Sequence, residues 1–497
     1  TRWTTSMAKQ TGGRGRGRGK GRTKNPLHYH LIGIGGTAMA SLAGLLKAAG
    51  HEVTGSDENV YPPMSTGLQE MGIAYNQGYR PENLEPKPDL VVVGNAISRG
   101  NPELEEVLIR KLRYTSAAAT IKEEFIWGHH SMAVAGTHGK TTTTSLLAWV
   151  LDSAGLNPSF LIGGVAENFG TSFRLTDSNY FVIEADEYDT AYFDKGPKMW
   201  HYLPDTAIVN NIEFDHADIY RDEEAYKFAF ARFINLIPKN GVLIAGWDSP
   251  IVRELAPKSF APVESFAYGD ETKPPAGQPH WHARDVEFSE SGTQFRVFRS
   301  DKEWGRIVTP LAGAFNVRNV LAVIAAAEAV KADRDGVREG LRTFASVKRR
   351  MEVRGEVRGV AVIDDFAHHP TAIRETIDAI RQKYKGRRIV AVFEPRSYTA
   401  QRREFQNDYV KAFRGADEIV FAGLHRPDRY TKETALDLDE LVSDLASSGK
   451  GAKQLKDADA IVKDLTPRLK ERDVVLIMSN GGFGGIHQKL LDALAQI

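Results

Sequence analysis

Three apolar stretches of the chain each run directly into a glycine-rich turn and then into a helical pattern. They are HYHLIGIGGTAMA at 28–40, SMAVAGTHGKTTT at 131–143 and VVLIMSNGGFGG at 474–485. A buried strand, a tight turn and a helix in this order form the repeating unit of parallel α/β domains. The chain is therefore predicted to be α/β, with one binding turn in each of its domains.

The chain length of 497 residues fits about three domains of roughly 150 residues each. We place the boundaries so that residues 27–127, 128–345 and 346–497 each contain one of the three turns. Residues 268–306 contain Lys273-Pro274-Pro275 followed by alternating segments. This stretch is predicted to be a β-hairpin elaboration of the middle domain.

The net charge of zero hides an uneven distribution. The first 26 residues hold eight basic and no acidic side chains, which leaves 56 basic against 64 acidic side chains, a net −8, over 27–497. The Gly/Arg tract TGGRGRGRGKGRTK at 11–24 predicts a disordered tail over residues 1–26. We expect this tail to be dispensable and Met7 to lie nearer the true start. The alternative is an arm that binds RNA or membranes.

Composition narrows the class of protein further. The chain has no cysteine, which excludes disulfides, thiolate metal sites and cysteine nucleophiles. It has neither an apolar run of the roughly 20 residues a membrane helix needs nor the apolar core of a secretion signal. We expect a cytoplasmic protein, a monomer or weak dimer, that needs neither nucleic acid nor a membrane.

The first turn carries Gly33, Gly35 and Gly36 between a strand and a helix, and the next strand ends at Asp57. Glycines at this place let backbone N–H groups approach a pyrophosphate, and an acid about 20 residues on meets a ribose or a base. The pattern fits NAD, another pyrophosphate such as a UDP-sugar, or a tight turn that binds no ligand.

The second turn is predicted to hold the phosphates of a nucleotide. Lys140 would reach the β- and γ-oxygens and Thr141 would bind Mg²⁺. The glycine loop is two residues shorter than the usual one, but Gly, Lys and Thr keep their order at the start of the helix. The predicted ATP-binding residues of this turn are Gly136, Thr137, His138, Gly139, Lys140, Thr141 and Thr142.

Acidic and imidazole side chains follow two further apolar stretches. YFVIEADEYD ends in carboxylates that begin at Glu184, and TAIVNNIEFDHADIY leads to Asp215 and His216. Because α/β folds place ligand groups at the carboxyl ends of strands, these segments predict a metal site beside the nucleotide.

Taken together, these motifs resemble the Mur ligase family, the ATP-dependent amide-bond enzymes of peptidoglycan synthesis. The resemblance covers residues 28–497. It rests on GTHGKTT and NNIEFDHADIY and on five longer segments: 55–66, 94–103, 184–195, 364–373 and 479–491. It implies a Rossmann-like UDP-binding domain, a P-loop ATPase-like central domain and a Rossmann-like C-terminal domain.

The resemblance also implies a role for individual residues. Arg350 would lie against the γ-phosphate, so that the catalytic residues would be Lys140, His216 and Arg350. The metal ligands would be Thr141, Glu184 and His216. The remaining residues divide into three groups: Asn316, Asn319 and Asp364 for ATP; Gly33, Gly35, Gly36, Asp57, Asn95 and Ser98 for the UDP-sugar; and Arg396, Asn480 and Gly481 for the peptide.

The reaction implied is the ATP-dependent joining of UDP-N-acetylmuramate to the recycled tripeptide L-alanyl-γ-D-glutamyl-meso-diaminopimelate through an acyl phosphate. The runner-up is the addition of L-alanine to the same UDP-sugar. An RNA-binding protein with an Arg-Gly arm and an NAD oxidoreductase are the other classes considered. The oxidoreductase leaves GTHGKTT and Lys140 without a role.

Overall fold

The structure is a computed structural model that describes residues 25–61, 64–214, 219–269, 272–397, 399–425, 430–431 and 433–496. The predicted disorder of the tail concerns residues that lie almost entirely outside these ranges. The chain divides into two compact units. One comprises the residues up to Ala133 together with 156–205, and the other comprises 134–155 together with 206–497.

The N-terminal segment forms a five-stranded sheet that belongs wholly to the first unit. Its strand order is β3-β2-β1-β4-β5 and every pair is parallel. The order changes direction between β1 and β4, where parallel sheets of this kind open a ligand crevice. The elements are β1 (His28–Ile32), α1 (Thr37–Ala48), β2 (Glu52–Asp57), α2 (Met64–Glu70), β3 (Ala74–Gln77), β4 (Leu90–Val93), α3 (Pro102–Ile109), β5 (Tyr114–Ser116) and α4 (Ala117–Ile121).

The middle segment contributes to both units. In the first unit, β7 pairs with β9 in parallel and with β8 antiparallel; in the second, β12 to β15 are parallel neighbours. The elements are β6 (His130–Ala135), α5 (Lys140–Ser153), β7 (Ser159–Ala166), β8 (Thr171–Arg174), β9 (Tyr180–Glu184), β10 (Asp189–Ala191), β11 (Asp194–Pro197), β12 (Thr206–Val209), α6 (Glu223–Asn235), β13 (Val242–Gly246), α7 (Pro250–Leu255), β14 (Val263–Ala267), β15 (His280–Ser289), β16 (Gly292–Arg299), β17 (Lys302–Thr309), α8 (Ala314–Ala329) and α9 (Arg334–Thr343). Strands β15, β16 and β17 form an antiparallel meander, which confirms the hairpin elaboration predicted near 268–306.

The C-terminal segment is a six-stranded sheet in the order β18-β19-β23-β20-β21-β22, with β18 as an antiparallel edge. Neighbouring residues of a strand point to opposite faces, so Ile363 and Val362 belong to two separate apolar cores on the two sides of the sheet. The elements are β18 (Glu352–Val357), β19 (Val360–Asp365), α10 (Pro370–Lys383), β20 (Ile389–Phe393), α11 (Gln406–Ala412), β21 (Glu418–Ala422), α12 (Leu438–Ser447), β22 (Gly451–Leu455), α13 (Ala458–Leu465), β23 (Val474–Met478) and α14 (Ile486–Ala495).

All three predicted strand–turn–helix units are present, as β1–α1, β6–α5 and β23–α14, although a short 3₁₀ turn over Phe483–Gly485 precedes α14. The prediction of an α/β fold is confirmed. Within the described ranges, no helix is both long enough and apolar enough to cross a membrane.

Candidate active site

The GTHGKTT loop (residues 136–142) joins the buried strand β6 to helix α5. Gly139 caps the helix with a left-handed backbone, φ +81°. The loop is held at its base because Thr137 N donates to Asn211 O (3.0 Å) and His138 N donates to Asn211 Oδ1 (2.8 Å). Lys140 is almost fully buried, and its Nζ donates to Gly136 O at 2.8 Å. The loop thus has the geometry of an anion cradle at a helix N-terminus.

Two asparagines from the start of α8 lie next to this loop. Asn319 Nδ2 donates to Asn316 Oδ1 (3.0 Å), and Asn316 Nδ2 donates to Ala312 O (2.8 Å). A β-carbon added at Gly139 would lie 3.0 Å from Asn319 Oδ1. The structure therefore brings together the loop and both asparagines that were predicted to serve ATP.

Arg350 reaches the loop from the segment that precedes β18. Its Nη2 lies 3.4 Å from Thr141 Oγ1, and its guanidinium stacks 5.0 Å from the ring centre of Phe366. Arg350 and Thr141 line a cavity of about 80 Å³, together with Gly139 and Asn316. The family resemblance implies that Arg350 lies against the γ-phosphate, and the structure brings this residue to the loop predicted to hold the phosphates, more than 200 residues away in the sequence.

The two acids at the end of β19 face different partners. Asp364 is buried 3.3 Å from His487 Nε2 and 3.5 Å from Arg349 Nε; burial raises its pKa, but these charges outweigh that effect and the pKa is lowered. Asp365 lines the cavity with Arg350, and its carboxylate accepts from Met351 N (2.8 Å). Burial raises the pKa of Asp365. The cavity is therefore lined by Asp365, whereas Asp364 is the residue that was predicted to contact ATP.

His138, Glu213 and His369 form a cluster on one side of the loop. His138 Nε2 lies 3.1 Å from Glu213 Oε2, and the two imidazole ring centres are 5.0 Å apart. Thr371 Oγ1 donates to Glu213 Oε1 at 2.7 Å. Burial raises the pKa of Glu213, but the bond from His138, the charge of His369 and the Thr371 hydroxyl lower it to about 2.

The predicted peptide-binding residues also converge. Arg396 follows β20, and Asn480 and Gly481 follow the neighbouring parallel strand β23. A β-carbon at Gly481 would lie 2.2 Å from the Arg396 side chain, so a larger residue there would displace the arginine from the turn. Arg349 Nη2 donates to the carbonyls of Ser479 (2.6 Å) and Gly481 (2.8 Å), which fixes the turn.

In the first compact unit, the first glycine turn is bonded to the acid that was predicted to accompany it. Gly35 N donates to Asp57 Oδ2 at 2.9 Å, and Gly33 N donates to Ser56 O at 2.8 Å. Gly36 is the N-cap of α1. The turn lies at the carboxyl end of β1, beside β4, and therefore at the crevice of the sheet.

Asn95 and Ser98 lie in the exposed loop that follows β4. Asn95 Nδ2 donates to Asp189 O at 2.8 Å, and the Ser98 carbonyl accepts from Asn101 N at 3.2 Å. Both residues thus follow β4, the strand that pairs with β1. The first glycine turn follows β1, so all of these residues lie on the side of the sheet where a UDP-sugar is expected.

The predicted metal ligands are described only in part. Thr141 lies at the start of α5 in the second unit. Glu184 ends β9 in the first unit, where its Oε2 accepts from Gly163 N at 2.8 Å. His216 and its neighbour Asp215 lie outside the described residues.

Comparison with known proteins decides the family. Residues 28–124, 134–327 and 349–481 match, in turn, the Mur ligase family catalytic domain, the Mur ligase middle domain and the Mur ligase glutamate ligase domain. The chain is also 41% identical over 469 residues to the UDP-N-acetylmuramate–L-alanyl-γ-D-glutamyl-meso-2,6-diaminoheptandioate ligase of Haemophilus influenzae, covering 94% of this chain and 99% of that protein. The chain belongs to the Mur ligase family. It is an ATP-dependent ligase.

Two further relatives show how the branches of this family compare with the chain. The crystal structure of a murein peptide ligase from Psychrobacter arcticus superposes with a TM-score of 0.69 at 38% identity, covering 95% of this chain and 99% of that chain. The UDP-N-acetylmuramate–L-alanine ligase of Desulforapulum autotrophicum is 31% identical over 469 residues, covering 94% of this chain and 99% of that protein. The fold of a three-domain Mur ligase, predicted from sequence, is confirmed.

One buried residue of this Mur ligase received no role from its sequence. Glu103 is fully buried, with Oε1 2.7 Å from both His30 Nε2 and Ser56 Oγ, and with Oε2 accepting from Asn83 Nδ2 at 2.7 Å. Through Ser56, whose carbonyl accepts from Gly33 N, it supports the first glycine turn. Pro102 before it marks a helix start, where an acid is commonplace, so the sequence carries no signal for this network.

Proposed function

We propose that this Mur ligase joins UDP-N-acetylmuramate to L-alanyl-γ-D-glutamyl-meso-diaminopimelate, using ATP. The observation that supports this choice of amine is the higher similarity to the tripeptide ligase of H. influenzae, 41%, than to the L-alanine ligase, 31%, over the same length of alignment. We also propose domains over 27–127, 128–345 and 346–497, whose boundaries fall in the gaps between the family matches.

The nucleotide is assigned to the GTHGKTT loop and the cavity beside it. A β-carbon at Gly139 would crowd Asn319, Lys140 supplies a buried cation, and Asn316 is adjacent. Common ligand pockets measure roughly 300–1,000 Å³. The cavity is smaller, about 80 Å³, so ATP must widen it by moving side chains such as that of Arg350. Either Asp364 or Asp365 is available for the ribose, and the cavity lining favours Asp365.

We infer that ATP acts with a magnesium ion. The Thr141 hydroxyl at the start of α5 is an oxygen donor of the kind that Mg²⁺ prefers, and Glu184 and His216 are the further ligands that the family resemblance implies. Bound there, Mg²⁺ would neutralise charge on the phosphates.

The chemistry requires activation of a carboxylate, because hydroxide is a poor leaving group. The lactyl carboxylate of the UDP-sugar attacks the γ-phosphorus of ATP, giving an acyl phosphate and ADP. The α-amine of the tripeptide then attacks the acyl carbon, phosphate leaves and the amide bond forms. Lys140 and Arg350 hold the anionic groups of the first step together, since two anions otherwise repel each other.

The other two substrates are assigned to the remaining glycine turns. The UDP-sugar is assigned to the carboxyl ends of β1, β2 and β4, where it would be held by Gly33, Gly35, Gly36, Asp57, Asn95 and Ser98. Arg396 with the turn at Asn480 and Gly481 would bind a carboxylate of the peptide, since a guanidinium and a carboxylate form a strong charge-assisted bond.

An amine panel tests the proposal. ADP release is measured with UDP-N-acetylmuramate and either the tripeptide or L-alanine, and the expected result is turnover with the tripeptide only. Turnover with L-alanine and not with the tripeptide would establish the runner-up, the L-alanine ligase. If neither the tripeptide nor L-alanine supports ADP release, both assignments are refuted.

A further inference from the structure

We propose that His138, Glu213 and His369 bind a divalent transition-metal ion at a site separate from the magnesium site assigned to Thr141, Glu184 and His216. The three side chains come from the GTHGKTT loop, from the segment after β12 and from the N-cap of α10. One ligand atom from each residue lies within 4.8 Å of the other two.

The spacing of these atoms is close to what coordination requires. Zinc binds imidazole nitrogen and carboxylate oxygen at about 2.0–2.2 Å, so tetrahedral ligand atoms lie roughly 3.3 Å apart. His138 Nε2 and Glu213 Oε2 already stand 3.1 Å apart. The His369 ligand atom lies within 4.8 Å of the other two, so a shift of at most about 1.5 Å brings it to the same spacing.

The chemistry of the donors selects the ion. Two imidazoles and one carboxylate suit Zn²⁺, Co²⁺ and their neighbours, whereas magnesium prefers oxygen ligands. The set also resembles, in ligand type, the three-ligand sites that leave a coordination position open for water or substrate.

The surroundings orient the ligands and leave one side accessible. Thr371 Oγ1 donates to Glu213 Oε1 (2.7 Å), and His138 N donates to Asn211 Oδ1 (2.8 Å). A hydroxyl bonded to a ligating carboxylate, as Thr371 is to Glu213, is typical of metal sites. The bond from His138 N fixes the backbone that carries the imidazole. Glu213 and His369 also line a cavity of about 450 Å³, which gives an ion a path of entry and room for a further ligand.

An ion bound here would join the GTHGKTT loop to the N-terminus of α10. Glu213 already links the two segments by its contacts with His138 and Thr371. Because a metal that binds only the folded state stabilises that state, occupancy is expected to raise the thermal midpoint of the chain.

The test uses the full chain, dialysed against Co²⁺ in excess Mg²⁺, with ions per chain counted and the visible absorption of Co²⁺ recorded. Wild type is expected to bind one more ion than His369→Ala and Glu213→Gln. Thr371→Val, which removes only the supporting hydroxyl, is expected to bind that ion about tenfold more weakly. His368→Ala is the matched control, because the adjacent imidazole is outside the cluster, and it should bind as wild type does.

Zn²⁺ should raise the thermal midpoint of wild type and His368→Ala but not of His369→Ala. If either His369→Ala or Glu213→Gln fails to fold, the comparison rests on the other. Full Co²⁺ binding by a folded His369→Ala would overturn the proposal. So would complete loss of binding in His216→Ala, because the ion would then occupy the magnesium site.

Discussion

Gly139 is the position at which a single methyl group tests whether the GTHGKTT loop is built for close approach to phosphates. Its φ is +81°, and Gly155, just beyond the end of α5, has a φ of +79°. A β-carbon at Gly139 would meet Asn319 Oδ1 at 3.0 Å and Asn210 Nδ2 at 3.2 Å, whereas one at Gly155 meets no heavy atom of the described residues within 4 Å. Gly155→Ala is therefore a control with the same backbone strain and no such contact.

The magnitudes follow from these contacts. A left-handed alanine costs each variant about 1–2 kcal/mol. The Asn319 amide is bonded to Asn316 and the Asn210 amide to Thr143 Oγ1, so the added methyl displaces a bonded group. Losing one such bond costs about 0.5–1.5 kcal/mol. Gly139→Ala should therefore be less stable than Gly155→Ala by about 1 kcal/mol.

The larger difference is expected in catalysis. The added methyl group requires the neighbouring amides to shift by a few tenths of an ångström, whereas a misplacement of about 1 Å costs about 100-fold in rate. We therefore expect a loss of about tenfold in kcat/KM for ATP in Gly139→Ala and none in Gly155→Ala. Thermal unfolding and steady-state ADP release measure the two effects. Equal kcat/KM for the two variants would refute the assignment of the nucleotide to this loop.

Three further substitutions test the site. Lys140→Ala should abolish ADP formation in a chain that still unfolds cooperatively, and near-normal turnover would contradict the loop assignment. Arg350→Ala should lower kcat about 10³-fold, as expected for an arginine that stabilises transferring phosphate; an unchanged kcat would remove Arg350 from the mechanism. Because the pKa of Glu213 is lowered from 4.5 to about 2, its contribution to stability is complete above pH 4.5 and lost as the pH falls toward 2. The thermal midpoint of Glu213→Gln should thus decline less steeply than that of wild type over this range, and equal slopes would contradict the pKa.

Most of the predictions made from the sequence, such as the strand–turn–helix units, rest on local patterns. The GTHGKTT loop is a contiguous motif. The glycines within the motif provide the backbone conformations that the loop adopts. The convergence of Arg350 and Thr141 was inferred from the family resemblance, because no local pattern links residues so far apart. The structure then brings the two side chains to 3.4 Å.

Long-range contacts have no such local signal. Asp364 and Asp365 are neighbours on one strand, and their side chains point to opposite faces, so the sequence does not show which of the two carboxylates faces the cavity. Glu213 and Glu103 each bond to partners at least 20 residues away in the sequence. Such contacts depend on how strands and helices are stacked, which neither composition nor periodicity determines.

The net charge of residues 27–497 indicates that the site depends on short-range electrostatic interactions. Residues 27–497 carry a net charge of −8, which offers no long-range attraction to anionic substrates. Helix N-termini act only within their first turn, and a buried cation such as Lys140 acts where water does not screen it. We therefore expect recognition in this Mur ligase to come from the fit of the three glycine turns to the ligands proposed for them. That is why a methyl group at Gly139 is expected to matter more to turnover than the removal of a surface charge.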